Sequence, residues 1–174
     1  NLVDIGLSSE FIQKEKTNQY LINKTFIKTI YKKREKFSHK GNFGRALLIA
    51  GSFGKMGAAI LAANACLRAG VGLLTLQVPR CGIEILQSTT PEAMVITGKS
   101  KKSIEPIDWE NLQIDSIGIG PGIGTNSKAL ACLGNILQET KFPMVIDADA
   151  LNLLAANKDL LKIVPPNSIL TPHL

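Results

Sequence analysis

Three turns carry the residues best suited to chemistry. The first is Gly51-Ser52-Phe53-Gly54-Lys55-Met56-Gly57. It lies where an apolar run ends and a helical pattern begins, so backbone N–H groups and a helix N-terminus could face an anion there. It is not a phosphate loop of the GxxxxGK[ST] type. Aligning Gly54-Lys55 puts Ile49 at the first glycine and Met56 at the metal-binding hydroxyl. A tight turn with close helix–sheet packing explains the segment equally well. The second turn is Gly118-Ile119-Gly120-Pro121-Gly122-Ile123-Gly124. It fails the dinucleotide pattern GxGxxG, because Ile123 or Thr125 falls at the last position. A plain turn needs one or two glycines. The excess favours a flat ligand lying close to the backbone. The third is Asp147-Ala148-Asp149-Ala150-Leu151-Asn152. Its paired carboxylates could bind Mg²⁺, hold a hydroxyl or cap the next helix. Asp149 suits the cap, and Asp147 is the better functional candidate.

Two histidines remain, His39 and His173. Neither has a Ser or Cys partner in sequence reach, and a lone histidine is most often a structural hydrogen-bonding group. His173 follows Thr171-Pro172 at a strand end, which raises its interest. Cys66, Cys81 and Cys132 form no CxxC or Cys/His cluster. They suit buried thiols in a reducing compartment, so a cytoplasmic location is expected.

These turns need a scaffold. Ala46–Ala50, Val71–Val78, Ala93–Thr97, Ser116–Gly120, Met144–Asp147 and Ser168–Thr171 read as strands. Gly57–Arg68, Gly82–Gln87, Asn126–Glu139 and Ala150–Ile163 read as helices, with Gly70 as a stop and Asn126 as an N-cap. Residues 98–113 read as a polar surface connection. Alternating strands and helices predict right-handed crossovers and a mainly parallel sheet in a three-layer α/β/α sandwich. Ligands of open α/β sheets bind beyond the carboxyl ends of strands. A chain ending at Leu174, just there, is expected to be part of a longer protein.

The chain has 174 residues, 45% of them apolar and 20% charged. That suits one globular domain and excludes collagen-like or wholly disordered chains. No apolar run is long enough for a membrane span, and no signal peptide is visible. The net charge of +6 is uneven. Residues 14–45 carry +8, residues 1–13 carry −2, and residues 46–174 are neutral. Aromatics in the basic stretch could stack on bases. A solvated connector is the preferred reading, with no nucleic-acid partner, because no nucleic-acid motif is present.

Taken together, the motifs resemble the ADP/ATP-dependent NAD(P)H-hydrate dehydratase family. His39-Lys40-Gly41-Asn42-Phe43-Gly44-Arg45, Gly51-Ser52, Met56-Gly57-Ala58-Ala59, Pro91-Glu92-Ala93-Met94, Gly120-Pro121-Gly122-Ile123-Gly124, Asp147-Ala148-Asp149-Ala150-Leu151-Asn152 and Thr171-Pro172-His173 occur in the family's order. The match covers residues 38–174 and implies a ribokinase-like fold, incomplete at its C-terminus. Val3-Asp4-Ile5-Gly6-Leu7 looks like the tail of an NAD(P)H-hydrate epimerase domain, which makes residues 1–37 an interdomain linker.

The resemblance implies a repair reaction on hydrated NADH or NADPH. ADP or ATP with Mg²⁺ phosphorylates the ring hydroxyl, and elimination of phosphate restores the reduced ring. Hydroxide leaves poorly and phosphate leaves well. By the same resemblance, Gly57, Ala58 and Ala59 bring backbone groups to the substrate. Gly122 and Gly124 let it lie against the loop, His173 contacts it, and Asp147 with Asn152 supports the pocket. Lys55 receives no role. The family's Gly-Ser-Gly-Asp segment, whose aspartate is the expected base, has no match in the 174 residues. The chain alone is therefore expected to be inactive, and a homo-oligomer is expected. Two alternatives are a ribokinase-like kinase acting on a small alcohol and a non-catalytic dinucleotide- or nucleic-acid-binding module. Binding that falls steeply with salt and ignores ring hydration would mark the module.

Overall fold

A computed structural model describes residues 5–18, 20–109 and 112–173. Val3, Asp4 and Leu174 of the segments discussed above lie outside these. The chain divides into two units, Asn1–Phe37 and Ser38–Leu174. The first holds two short helices that the polar composition concealed, α1 (Ser9–Lys14) and α2 (Lys24–Ile30). Ser8 and Asn23 cap them, each side-chain oxygen accepting a backbone N–H from Phe11 and Phe26 respectively. Neither helix buries a residue.

The second unit is built on a wholly parallel six-stranded sheet, in the order β3-β2-β1-β4-β5-β6. The strands are β1 (Arg45–Ile49), β2 (Leu73–Gln77), β3 (Met94–Ile96), β4 (Ser116–Ile119), β5 (Met144–Ile146) and β6 (Ile169–Leu170). The helices are α3 (Met56–Ala69), α4 (Ile83–Thr89), α5 (Ser127–Glu139), α6 (Ala148–Ala156) and α7 (Lys158–Leu161). The order reverses between β1 and β4. At such a switch point the loops leaving two adjacent strands diverge and open a crevice at their carboxyl ends.

Period and capping explain the elements. In α5 the buried residues Ala129, Cys132, Leu133, Ile136 and Leu137 recur at helical spacing, one stripe facing the sheet. Asn126 caps it, its Oδ1 accepting the N–H groups of Lys128 and Ala129 at 3.0 and 3.1 Å. In α3 the residues buried after Met56 are small, Ala59 and Ala63, which lets the helix lie close on the sheet. Gly70 ends it in the left-handed conformation, at φ 105°.

Register sorts the strand residues into two cores. Leu47, Ile49, Ile117, Ile119 and Ile146 meet α5 and α6 on one face. Ala46, Leu74 and Leu76 meet α3 and α4 on the other. On that second face, Gly118, Val145 and Ile169 continue the row from Leu48. Val145 is 40% exposed and Ile169 59% exposed, so this strip faces solvent. Between it and α3 runs an apolar groove of about 380 Å³, lined in part by Ala62 and Cys66.

Two expectations need correction. The helix foreseen over 150–163 begins at Ala148 and breaks at Asn157, which leaves helical geometry at φ −130°, ψ 72°. Asn157 Nδ2 donates back to Leu153 O at 2.9 Å, closing the first helix with its own side chain. Residues 98–113 are also more than a surface connection. Ile104 is buried in the α5-side core, and Gln77 Nε2 donates to Glu105 O at 2.8 Å. Among the described residues, no helix is long and apolar enough to cross a membrane.

The burial pattern yields a contrast measurable by urea denaturation. Leu133→Ala, which empties a fully buried site, is expected to cost about 2–5 kcal/mol. Leu61→Ala, on the exposed face of α3, should change stability by less than ~0.5 kcal/mol. Equal costs would contradict the assignment of the core.

Candidate functional site

The loops after β1, β4, β5 and β6 meet along one seam at the carboxyl end of the sheet. Gly51 N–H donates to Pro121 O at 2.8 Å, and Ser52 Oγ donates to Gly122 O at 2.7 Å. The first two turns are therefore laced together directly. Gly120 sits at φ 135°, and a Cβ there would fall 1.7 Å from Asp147 O. Only glycine fits. Gly122, at φ 68°, would bring a Cβ to 3.0 Å from the Ala58 methyl and from Lys55 O. Its backbone thus lies directly against the start of α3.

Asp149 locks the third turn onto this pair. Its Oδ2 accepts the Gly124 N–H at 2.8 Å and lies 3.3 Å from Lys55 Nζ. The carboxylate is 20% exposed and the lysine 54%. A hydrogen bond to a half-sheltered carboxylate contributes about 1.5–3 kcal/mol, whereas a pair with so exposed a lysine contributes about 0.2–1 kcal/mol. The amide bond is the stronger tie. Asp147, at the N-cap position of α6, makes no capping bond. Its Oδ1 accepts instead from Thr171 Oγ1 at 2.6 Å, joining β5 to β6. Between these aspartates Ala148 adopts φ 47°, a left-handed conformation that costs an alanine about 1–2 kcal/mol. The turn holds it there while presenting the two carboxylates to different partners.

The expected residues fall into two groups. Gly122 lies against Ala58 at the start of α3, Gly124 is tied to Asp149, and Gly57 is exposed in the first turn of α3. Asn152 and His173 line a pocket of about 260 Å³ on the β5–β6 side. The Asp147–Thr171 bond lies between them. Ala59 is fully buried and packs on the sheet, where it sets the spacing of α3. Asp149 is not the helix cap that its position suggested. Lys55, given no role from sequence, spans α3 and α6 through Asp149. Ser52 and Thr171 were also missed as connectors. Their hydroxyls follow strand ends, a weak signal that only the folded contacts make specific.

His39 is structural. Its Nδ1 accepts the Gly41 N–H at 3.1 Å while Asn42 Oδ1 accepts the His39 N–H at 3.0 Å, capping the 3-10 turn Lys40–Phe43. Burial pushes the Cys132 thiol up to about 12 from its ordinary 9.0, against a weaker downward pull from Gln77. A thiol so held is neutral in the folded protein and is no nucleophile. Asp147 and Asp149 face different partners, and among the described residues no group of three or more His, Cys, Asp or Glu side chains could hold a metal ion. Mg²⁺ is ordinarily held by one or two carboxylates together with nucleotide phosphates, and these two carboxylates make no all-protein cage for it.

Helices α3 and α6 begin at this seam, and no side chain caps either. In each first turn one N–H bonds back to the chain, Ala58 to Lys55 O at 3.2 Å and Ala150 to Asp147 O at 3.1 Å; the two residues before each take no side-chain cap, which suits an anionic ligand. A wholly parallel sheet with such a crevice defines a doubly wound α/β domain. A solved ribokinase-like superfamily protein from Enterococcus faecalis superposes with a TM-score of 0.68 and 29% identity, over 82% of this chain and 52% of its own. The ADP/ATP-dependent NAD(P)H-hydrate dehydratase of Bacillus subtilis, co-crystallised with ATP and Mg²⁺, gives a TM-score of 0.59 and 27% identity over 73% and 45%. The family model Carb_kinase, described as NAD(P)H-hydrate dehydratase, matches residues 46–174. The bifunctional NAD(P)H-hydrate repair enzyme of Moorella thermoacetica is 33% identical across 99% of this chain. The chain belongs to the NAD(P)H-hydrate dehydratase family. It spans about a third (34%) of the length of that Moorella relative.

The two ties to Asp149 should separate by mutation. Asp149→Ala is expected to cost about 2–3 kcal/mol and Lys55→Met under ~1 kcal/mol, read as shifts in the urea midpoint. A lysine effect as large as the aspartate effect would make the ion pair, not the amide bond, the principal tie.

Proposed function

We propose that this chain forms the substrate side of a dehydratase that repairs hydrated NADH and NADPH with ADP or ATP. One observation carries the proposal: two helix N-termini without side-chain caps flank a glycine loop that packs directly against one of them, at Ala58. The diphosphate of a dinucleotide suits the helix ends, and its flat ring suits the Gly122–Gly124 backbone. Ala58 closes one side of the ring site. His173 and Asn152 supply polar contacts from the other side, and Asp147 holds Thr171, and with it the chain leading to His173, in place.

Hydroxide is a poor leaving group. Phosphoryl transfer from ADP or ATP turns the ring hydroxyl into a phosphate ester, and departure of phosphate leaves the restored reduced ring. Mg²⁺ would accompany the nucleotide phosphates. The residues of this chain bind and orient the hydrated ring for both steps. No catalytic base is assigned among them, in keeping with the lack of a Gly-Ser-Gly-Asp segment.

Residues 1–37 are proposed as the connection from an epimerase domain, because the unit they form buries none of its described residues. The exposed Val145–Ile169 strip favours a homo-oligomer. Three free cysteines favour the cytoplasm.

Equilibrium dialysis tests the central proposal. The chain should bind hydrated NADPH, and Ala58→Trp should weaken binding at least about tenfold by filling the space beside Gly122. With ADP or ATP and Mg²⁺ the 174-residue chain should restore no NADPH. Absence of binding would overturn the substrate assignment. Restoration by the chain alone would show that it contains the base.

A further inference from the structure

Next to the seam, the loops leaving β1, β2 and β3 enclose a second cleft of about 360 Å³, lined by Phe53, Arg80, Cys81, Lys101 and Lys102. Its walls are tied through the backbone. Phe53 N–H donates to Lys102 O at 2.8 Å, Arg80 N–H to Ser100 O at 3.0 Å, and Cys81 N–H to Lys101 O at 3.2 Å. Phe53 is 65% exposed, and Lys102 Nζ lies 5.1 Å from the centroid of its ring.

Among the described residues, Arg80, Lys101 and Lys102 form no ion pair, whereas the nearby Lys55 and Lys128 each have one. Glu105 is the closest carboxylate along this segment, and it is already engaged. It accepts the Ser100 N–H and meets Lys128 Nζ at 3.1 Å, and these contacts hold its carboxyl below the usual range. Three cations thus share one cleft without a counter-charge. Their mutual repulsion is relieved by a bound anion. An exposed aromatic face among them adds a platform for a base, and a cation beside a ring is a favourable arrangement.

The 51–55 loop belongs to both sites. Ser52 is bonded to Gly122 and Lys55 to Asp149, while Phe53 turns into the basic cleft. The uncapped helix ends already suit the diphosphate of a dinucleotide. We propose that the cleft binds the adenosine end of the substrate, with the base on Phe53 and a ribose 2′-phosphate among Arg80, Lys101 and Lys102, and so confers a preference for the hydrated form of NADPH over that of NADH. This rests on the dinucleotide reading of the seam.

Calorimetric titration of the 174-residue chain tests it, with NADPH, NADH, 2′,5′-ADP and AMP as probes. NADPH should bind at least about tenfold more tightly than NADH, and 2′,5′-ADP more tightly than AMP by a similar factor. Lys101→Glu with Lys102→Glu should remove both differences. Lys141→Glu with Lys158→Glu, an equal charge change elsewhere on the surface, should leave them intact. Equal affinity of the wild type for NADPH and NADH, or equal losses in the two double variants, would overturn the assignment. Loss of 2′,5′-ADP binding only in the Lys101/Lys102 variant, with no binding of NADPH or NADH, would keep the phosphate site and overturn the dinucleotide reading. Failure of every probe to bind would overturn both.

Discussion

The carboxylate of Asp149 is the hinge-pin of the molecule's functional edge. It draws the Gly124 N–H and the Lys55 ammonium to one oxygen, and so brings the starts of α3 and α6 onto the loop after β4. The contact requires a particular backbone. Gly120 must have no Cβ, because Asp147 O occupies that space, and Ala148 must accept a left-handed conformation. The sheet makes these demands affordable. Fully buried Ile49, Ile119 and Ile146 anchor the strand ends from which the three turns spring. Strain in a turn persists where the surrounding packing over-determines it.

The same arrangement accounts for the uncapped helices. An asparagine satisfies α5 with two backbone hydrogen bonds. At α6 the residue in the equivalent place spends its carboxylate on Thr171, and at α3 Lys55 turns to Asp149. The Asp147 carboxylate, which could cap α6, ties two strand ends together, whereas Lys55, a donor only, could not cap α3 and pairs with Asp149. Neither helix start has a side-chain cap.

Much of this was legible in the residue pattern. Strand and helix alternation, the Gly70 stop and the Asn126 cap are local signals, and the structure reproduces them. The resemblance to the dehydratase family rests on ordered motifs, and the family match confirms it. Contacts between distant segments were not legible. Asp149 was read as a cap because capping is a local rule, whereas its partners are 25 and 94 residues away. Ile104 escaped notice because the scattered apolar residues of that stretch, Ile104, Ile107, Trp109 and Leu112, keep neither a helical nor a strand period. Asn157 looked like an ordinary helical position until its side chain bonded to Leu153 O. The basic cleft is likewise invisible in a sequence whose residues 46–174 are neutral, since folding alone gathers Arg80, Lys101 and Lys102.

The central claim is that the laced loops form the ring site. A crystal structure of the chain grown with saturating NADPH tests it most directly. The account predicts the reduced ring against the Gly122–Gly124 backbone and Ala58, with His173 on its polar side. NADPH seated instead in the apolar groove between α3 and Val145, with the glycine loop bare, would contradict it.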